Sequence, residues 1–220
     1  MIDLHTHSIL SDGELLPYEL VRRAVDTGYK AIAITDHVDA SNIDFAVPRL
    51  REALTLLKGH LPIDVIAGAE ITHVPPSLIG DLVKEARALG AGLVVVHGET
   101  IVEPVEAGTN RAAIEAGADI LAHPGLITEE DLLLAKERGT ALEITARKGH
   151  CLSNGHVAKE AMRLGVPLVI NTDTHSPSDL ITKDMAVKIL LSAGIAPDRI
   201  GQVFETSRAL VQKALGKAYA

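Results

Sequence analysis

The sequence predicts an α/β protein whose parallel strands close into a barrel, and three observations carry that prediction. Short runs rich in Val, Ile, Ala and Leu alternate with polar loops and longer segments of helical spacing, the order expected of strands joined by crossover helices. The runs are nearly continuously apolar, as strands covered on both faces must be. Residue types that bind metals close six of the seven runs, and in a barrel of parallel strands those ends meet on one rim. An open doubly wound sheet would spread them along an edge, too far apart for one cluster.

The first run, 2–5, ends in His5 and His7, which point to one side because a strand has period two. Asp12 follows in the turn Ser11-Asp12-Gly13, ahead of a helix expected over 17–27. The second run, 31–35, ends in Thr35-Asp36-His37 and leads to a helix over 48–58. The third, 64–69, gives Gly68-Ala69-Glu70 and a helix over 77–89; the fourth, 92–96, gives His97-Gly98-Glu99 and a helix over 110–116. The fifth, 119–122, ends in His123-Pro124 before a helix over 129–137, which Thr128 and Asp131 cap. The sixth, 141–144, gives Glu143 and then Arg147, ahead of a helix over 155–164. The seventh, 167–171, runs into Asp173-Thr174-His175; a helix over 179–192 follows with Ser178 as its cap, and further helix from 197 to the end. Gly28, Gly59, Gly90, Gly117, Gly139, Gly165 and Gly194 stand where helix C-terminal glycines belong.

Composition bounds the function. No low-complexity or Ser/Pro-rich linker divides the 220 residues, so one domain spanning 1–220 is expected. Hydrophobic residues make up 47% and charged residues 23%, an ordinary balance for a chain with a sizeable core. The net charge of −8 and the five aromatic residues provide neither a basic stripe nor a stacking platform, which argues against nucleic acid as the main partner. The single cysteine, Cys151, excludes an internal disulfide, and no window reaches a membrane-spanning length. A cytoplasmic location with no membrane partner is the expectation.

Six of the ten histidines, at 5, 7, 37, 97, 123 and 175, fall at strand ends. Any one of them alone reads better as a surface or satisfied core residue; jointly they read as a metal centre. Mixed imidazole and carboxylate ligands suit Zn, Mn or Fe alike. Of the others, His60 follows a helix-ending glycine and reads as structural or solvent-exposed. His73 lies three residues after Glu70 in a loop closed by Pro75-Pro76; it is placed to face the site, but a structural or surface reading is favoured. His150 and His156 lie on the correct rim and are substrate-contact candidates at best.

The motifs Asp3-Leu4-His5-Thr6-His7, Ser11-Asp12-Gly13, Ile34-Thr35-Asp36-His37, Gly68-Ala69-Glu70, His97-Gly98-Glu99, His123-Pro124 and Asp173-Thr174-His175 together resemble the PHP (polymerase and histidinol phosphatase) family over nearly the whole length. The resemblance implies a distorted seven-stranded TIM-like (β/α)7 barrel with three divalent metals. It assigns His5, His7, Glu70 and Asp173 to the first metal, Glu70, His97 and His123 to the second, and Asp12, His37 and His175 to the third. It also implies a metal-dependent phosphoesterase, with histidinol phosphate as one candidate substrate.

Three divalent ions against three carboxylates and one hydroxide leave a surplus of about two positive charges, which matches a phosphomonoester dianion better than a diester. Attack by metal-bound hydroxide then needs no protein nucleophile. Other phosphatase chemistries lack their residues: Val157, not arginine, stands six after Cys151, and no Asp-x-Asp pair, P-loop or Gly-x-Ser-x-Gly elbow is present. Phosphate recognition falls to Arg147 first, Lys148 second and Arg111 third, with Asp36 and Glu99 as orienting residues beside ligands. The expected function is hydrolysis of a small phosphomonoester. The alternatives are a phosphodiesterase or 3'-5' exonuclease on nucleic acid or nucleotides, a non-catalytic metal-binding regulatory module, and C–N hydrolysis of amidohydrolase type. No inserted element announces an oligomer interface.

Overall fold

Alternating apolar runs and helices build a nearly closed barrel of parallel strands in the computed structural model, which describes residues 1–216. The strands are β1 (Ile2–Asp3), β2 (Ala31–Ile34), β3 (His37–Val38), β4 (Asp64–Ile71), β5 (Leu93–His97), β6 (Ile120–Ala122), β7 (Ala141–Thr145) and β8 (Leu168–Asn171). Their order is β1-β2-β4-β5-β6-β7-β8, every pairing parallel. The short β3 continues β2 along β4 without a slip: Ile34 pairs with Ala67, and His37 with Glu70. The seven-stranded barrel is therefore as expected from the strand-end pattern, with the second strand broken at Thr35 and Asp36.

The break has a local cause. Thr35 N–H donates to Thr6 O (2.7 Å), while the Asp36 carboxylate takes Ser8 N–H and Ser8 Oγ–H, both at 2.7 Å. Closure between β1 and β8 is irregular as well. Regular β1 ends at Asp3, not at residue 5, and the seam is held by Asp173 N–H to His5 O (3.0 Å), His7 N–H to Thr174 O (2.8 Å) and Leu4 N–H to the Asn171 side chain (2.9 Å). This seam brings the first and last motifs together.

The helices are α1 (Pro17–Asp26), α2 (Ile43–Leu57), α3 (Pro76–Leu89), α4 (Thr109–Glu115), α5 (Glu129–Arg138), α6 (Asn154–Leu164), α7 (Lys183–Ser192) and α8 (Ile200–Leu215). All seven glycines expected at helix ends have positive φ, and Thr128 caps α5 by accepting from Asp131 N–H. Two starts differ from the sequence expectation. α2 begins at Ile43 and carries Pro48 inside, because Ile43, Ala46, Val47, Leu50 and Leu54 lie on one buried face whose burial offsets a proline cost of about 3 kcal/mol. α7 begins four residues late: Thr182, not Ser178, is its cap, since Ser176 and Asp179 close a 3-10 turn over Pro177–Asp179. The expected helix from 197 begins as a 3-10 turn (Pro197–Arg199), and its last stretch, 217–220, lies outside the described residues.

Ile2, Leu4, Ala31, Ala33, Ile66, Leu93, Val95, Ile120 and Val169 fill one core cluster with Leu210 and Val211 of α8. A larger layer of Val, Ile, Leu and Ala lies between the strands and the helices. Among the described residues no helix is long and apolar enough to cross a membrane.

Candidate metal centre

Glu70 projects from the longest strand, β4, and is fully buried amid imidazoles. Its Oε1 lies 3.2 Å from His5 Nε2, 3.5 Å from His97 Nδ1 and 4.0 Å from His123 Nε2. Its Oε2 lies 2.6 Å from His37 Nδ1 and 3.7 Å from His7 Nε2. Across the seam, Asp173 Oδ1 lies 3.1 Å from His7 Nε2, 3.3 Å from His175 Nδ1 and 3.8 Å from His5 Nε2, and its Oδ2 is 3.7 Å from His123 Nε2. Asp12 Oδ1 lies 3.2 Å from His175 Nε2 and 3.5 Å from His37 Nε2.

These nine side chains form four overlapping groups whose ligand atoms lie within 4.8 Å of one another: His5, His7, Glu70; His5, His123, Asp173; Glu70, His97, His123; and His7, Asp12, His37, His175. Compared with the partition implied by resemblance, His7 also reaches the Asp12 group and His123 also reaches Asp173. Many of their polar atoms are buried without a hydrogen-bond partner: His5 Nε2, both ring nitrogens of His7, His97 and His123, Glu70 Oε1 and Asp173 Oδ1. Orphaned buried polar atoms are costly and rare. Their concentration around two carboxylates is what divalent cations would satisfy, so the donor set fits metal.

Electrostatics prepares the ligands. Burial, with the His37 charge beside it, lowers His7 to about 4, and burial with neighbouring His97 lowers His123 well below its usual value, leaving both imidazoles neutral as ligation requires. For His5, burial opposes the charge, but Glu70, Glu143 and Asp173 together raise it well above normal. Burial is likewise overcome at His97, which Glu103 and Glu70 raise to about 9. Desolvation disfavours the anions of Glu70, Asp173 and Asp12 as well, yet the surrounding histidines lower all three, Asp12 to about 2.

Outer contacts hold the ligands in place. His5 Nδ1 lies 2.8 Å from Glu143 Oε2, which also accepts from Asn171 Nδ2 at 2.9 Å. With Nδ1–H given to a carboxylate, Nε2 is left facing Glu70. The Asp36 carboxylate accepts from Ser8 (N–H and Oγ–H, both 2.7 Å) and Ser11 (Oγ–H, 2.8 Å), shaping the turn that carries Asp12. In that turn a Cβ on Gly13 would lie 2.4 Å from His7 O, so the close approach needs glycine. Glu99 accepts from Gly108 N–H (3.0 Å) and Asn110 N–H (2.9 Å) at the start of α4.

The site floors a cavity of about 540 Å³ that Asp12, His37, His97, Arg147, Asp173 and His175 help to line. A larger cleft of about 660 Å³ lies at the opposite strand ends, around Lys30, Arg51 and Lys58, and contains none of these ligands. Arg147 reaches the cavity with Nη1 3.3 Å from Asp179 Oδ2. Lys148 is exposed and outside its lining. Arg111 is not at the cavity: its guanidinium pairs with Asp131 of α5 at 2.7 Å, because its place in the first turn of α4 faces the neighbouring helix. His156 bonds Ile127 O (3.0 Å) and also stays out of the cavity lining.

One residue at the site, Glu103, escaped the sequence reading. Glu103, in the irregular loop after β5, lies 3.1 Å from His97 Nε2, 3.1 Å from His73 Nε2 and 3.3 Å from His150 Nε2. Its carboxyl is held at about 2, first by His97. His73, for which the sequence favours a structural reading over one facing the site, lines the cavity. His150 stacks on His123 at 4.2 Å and meets Thr100 Oγ1 at 2.8 Å. No spacing rule signals Glu103; six positions beyond His97, it is placed only by the course of its loop.

Comparison with known proteins agrees with the fold. The sequence model of the PHP domain matches residues 3–138, a span that includes seven of the nine ligand candidates. An uncharacterized protein of Methanocaldococcus jannaschii, MJ1295, is 50% identical over 195 residues, covering 88% of this chain and 89% of its own length. A probable phosphatase of Syntrophotalea carbinolica is 28% identical over 218 residues, covering 90% of each. Among solved structures, a chain of archaeal ribonuclease P with mature tRNA superposes with a TM-score of 0.73 at 19% identity, covering 97% of this chain and 91% of that one. Histidinol phosphate phosphatase from Lactococcus lactis, complexed with zinc, L-histidinol and phosphate, superposes with a TM-score of 0.60 at 17% identity, covering 97% and 93%. With the family's sequence model covering over half of its length, the chain belongs to the PHP domain family.

Proposed function

We propose that this metal-dependent phosphoesterase hydrolyses a small phosphomonoester and that it holds three divalent ions. His5, His7, Glu70 and Asp173 would hold the first, Glu70, His97 and His123 the second, and Asp12, His37 and His175 the third. The observation that carries the reading is the set of unpartnered buried nitrogens and carboxylate oxygens at the floor of a small cavity. When bound, divalent ions polarise phosphoryl oxygens and lower the pKa of water enough to give a nucleophile at neutral pH.

The protein's part is positioning. Glu143 fixes the ring of His5, and Asp36 fixes the turn of Asp12. Asp179, which accepts from His175 N–H (3.1 Å) and Ser176 N–H (2.8 Å), orients the Arg147 guanidinium toward the space where a phosphate would sit. Its planar fork suits two phosphate oxygens.

Among the described lining residues Arg147 is the sole arginine or lysine, against Asp12, Asp39, Glu103 and Asp173. That balance favours one compact dianion over a polyanionic strand. The amino alcohol and phosphate bound to the Lactococcus enzyme make histidinol phosphate one member of a test panel. The test is metal analysis of the purified chain followed by turnover of phosphomonoesters, phosphodiesters and single-stranded RNA. Monoesters should be turned over fastest; faster cleavage of the RNA would reverse the assignment in favour of a nuclease.

A further inference from the structure

Beyond these three sites, an outer cluster stands at the cavity mouth: one ligand atom each of His73, Glu103 and His97 lie within 4.8 Å of one another, with Glu103 Oε2 3.1 Å from both His73 Nε2 and His97 Nε2. Their separations share a signature with the inner cluster. His5 Nε2 to Glu70 (3.2 Å) and His7 Nε2 to Asp173 (3.1 Å) are close N···O pairs in which the buried nitrogen makes no hydrogen bond, as two ligands of one ion approach without pointing at each other. His97 Nε2 and Glu103 Oε2, 3.1 Å apart, form a third such pair, with His97 only 4% exposed and both ring nitrogens unpartnered. Glu143 on His5 is different, because there a proper hydrogen bond is made; His73 Nε2 likewise hydrogen-bonds Glu103 Oε2 at 3.1 Å, so the unpartnered-nitrogen signature belongs to the His97 pair alone.

Backbone strain points the same way. Only three described non-glycine residues have positive φ: His123 (27°), Asp173 (53°) and His73 (52°). Two are ligand candidates of the inner cluster, and such outliers persist where the surroundings enforce them, often at functional sites. His73 holds its strained conformation while its side chain, 43% exposed, reaches Glu103.

We propose that His73, Glu103 and the outer nitrogen of His97 form a fourth divalent-cation site at the mouth of the cavity, outside the three inner ones. The inference rests on the metal-dependent reading above, since His97 serves both clusters. His97 turns Nδ1 toward Glu70 and Nε2 toward Glu103, and the outer ion, otherwise held by two partly exposed side chains, is the weaker one. Its half-exposed ligands leave it open to solvent, whereas Glu70, His97 and His123 are buried.

The test uses the full chain stripped by chelator and dialysed against rising free Zn²⁺, with bound zinc counted by mass spectrometry. Wild type should take up one weaker equivalent after the inner sites fill. His73→Asn, which tolerates the positive φ, and Glu103→Ala should each lose that equivalent, while Glu106→Ala should keep it. Identical uptake by wild type and His73→Asn overturns the proposal. So does a Glu103→Ala that weakens an inner equivalent while His73→Asn has no effect, because Glu103 would then only orient His97. A wild type that fills the inner sites and nothing more refutes this site alone; one that binds no zinc refutes the proposed function with it.

Discussion

Replacing Glu143 with alanine removes the acceptor that holds the ring of His5, and the structure sets the size of the effect. Glu143 is fully buried, and its Oε2 receives both His5 Nδ1 (2.8 Å) and Asn171 Nδ2 (2.9 Å). Without it, His5 is free to rotate or to move its proton to Nε2, the nitrogen that faces Glu70. Loss of such an outer partner costs about 10–100-fold in metal affinity, or about 1.4–2.8 kcal/mol at 1.4 kcal/mol per factor of ten. The apo fold should lose a further 1–3 kcal/mol or so, because the Asn171 amide is left buried and unpaired. Competition with a chelator of known affinity reads the first effect, and urea unfolding of the stripped chain reads the second. Glu143→Gln keeps an acceptor oxygen and should fall between wild type and alanine. If Glu143→Ala binds zinc within twofold of wild type, the orienting role assigned here is refuted.

Three other outcomes follow from the same contacts. Arg147→Ala should cut kcat/KM for monoesters by roughly 10–100-fold, the worth of a charge-assisted hydrogen bond of about 1.5–3 kcal/mol, with bound metal unchanged; loss of metal would refute its substrate role. Zinc binding to the stripped chain at pH 7.5 should release protons, because His97, raised to about 9, is cationic there and must deprotonate to ligate, and the upward shift of His5 acts in the same direction. Apparent affinity should therefore weaken as pH falls, and calorimetry in buffers of different ionisation enthalpy counts the protons; no release would contradict the raised values. Asp119→Ala should destabilise the fold by about 1–3 kcal/mol without touching metal content. Its buried carboxylate takes Val94 N–H (2.9 Å), Arg87 (2.6 Å) and Lys213 (2.7 Å) at the opposite barrel end, and urea denaturation measures the change.

The amino-acid sequence by itself determined the alternation of strand and helix, the helix-ending glycines, and the presence of imidazole and carboxylate at successive strand ends. These are local features: apolar runs, turn chemistry and the place of a residue in its own element follow from near neighbours in the chain. The closed barrel was legible too, because closure is the arrangement that unites such strand ends. Local signals misled where tertiary burial outweighed them, as at Pro48, which reads as a helix start but sits inside α2 because Ile43, Ala46 and Val47 are buried ahead of it. Only the tertiary structure decided which groups meet across the barrel. It paired Glu143 with His5, sent Arg111 to Asp131 on a neighbouring helix, and carried Glu103 over the rim to three histidines from three other segments. Those pairings depend on the curvature of the barrel and the irregular β1–β8 seam, which bring together residues as many as 169 positions apart and leave no periodic trace along the chain.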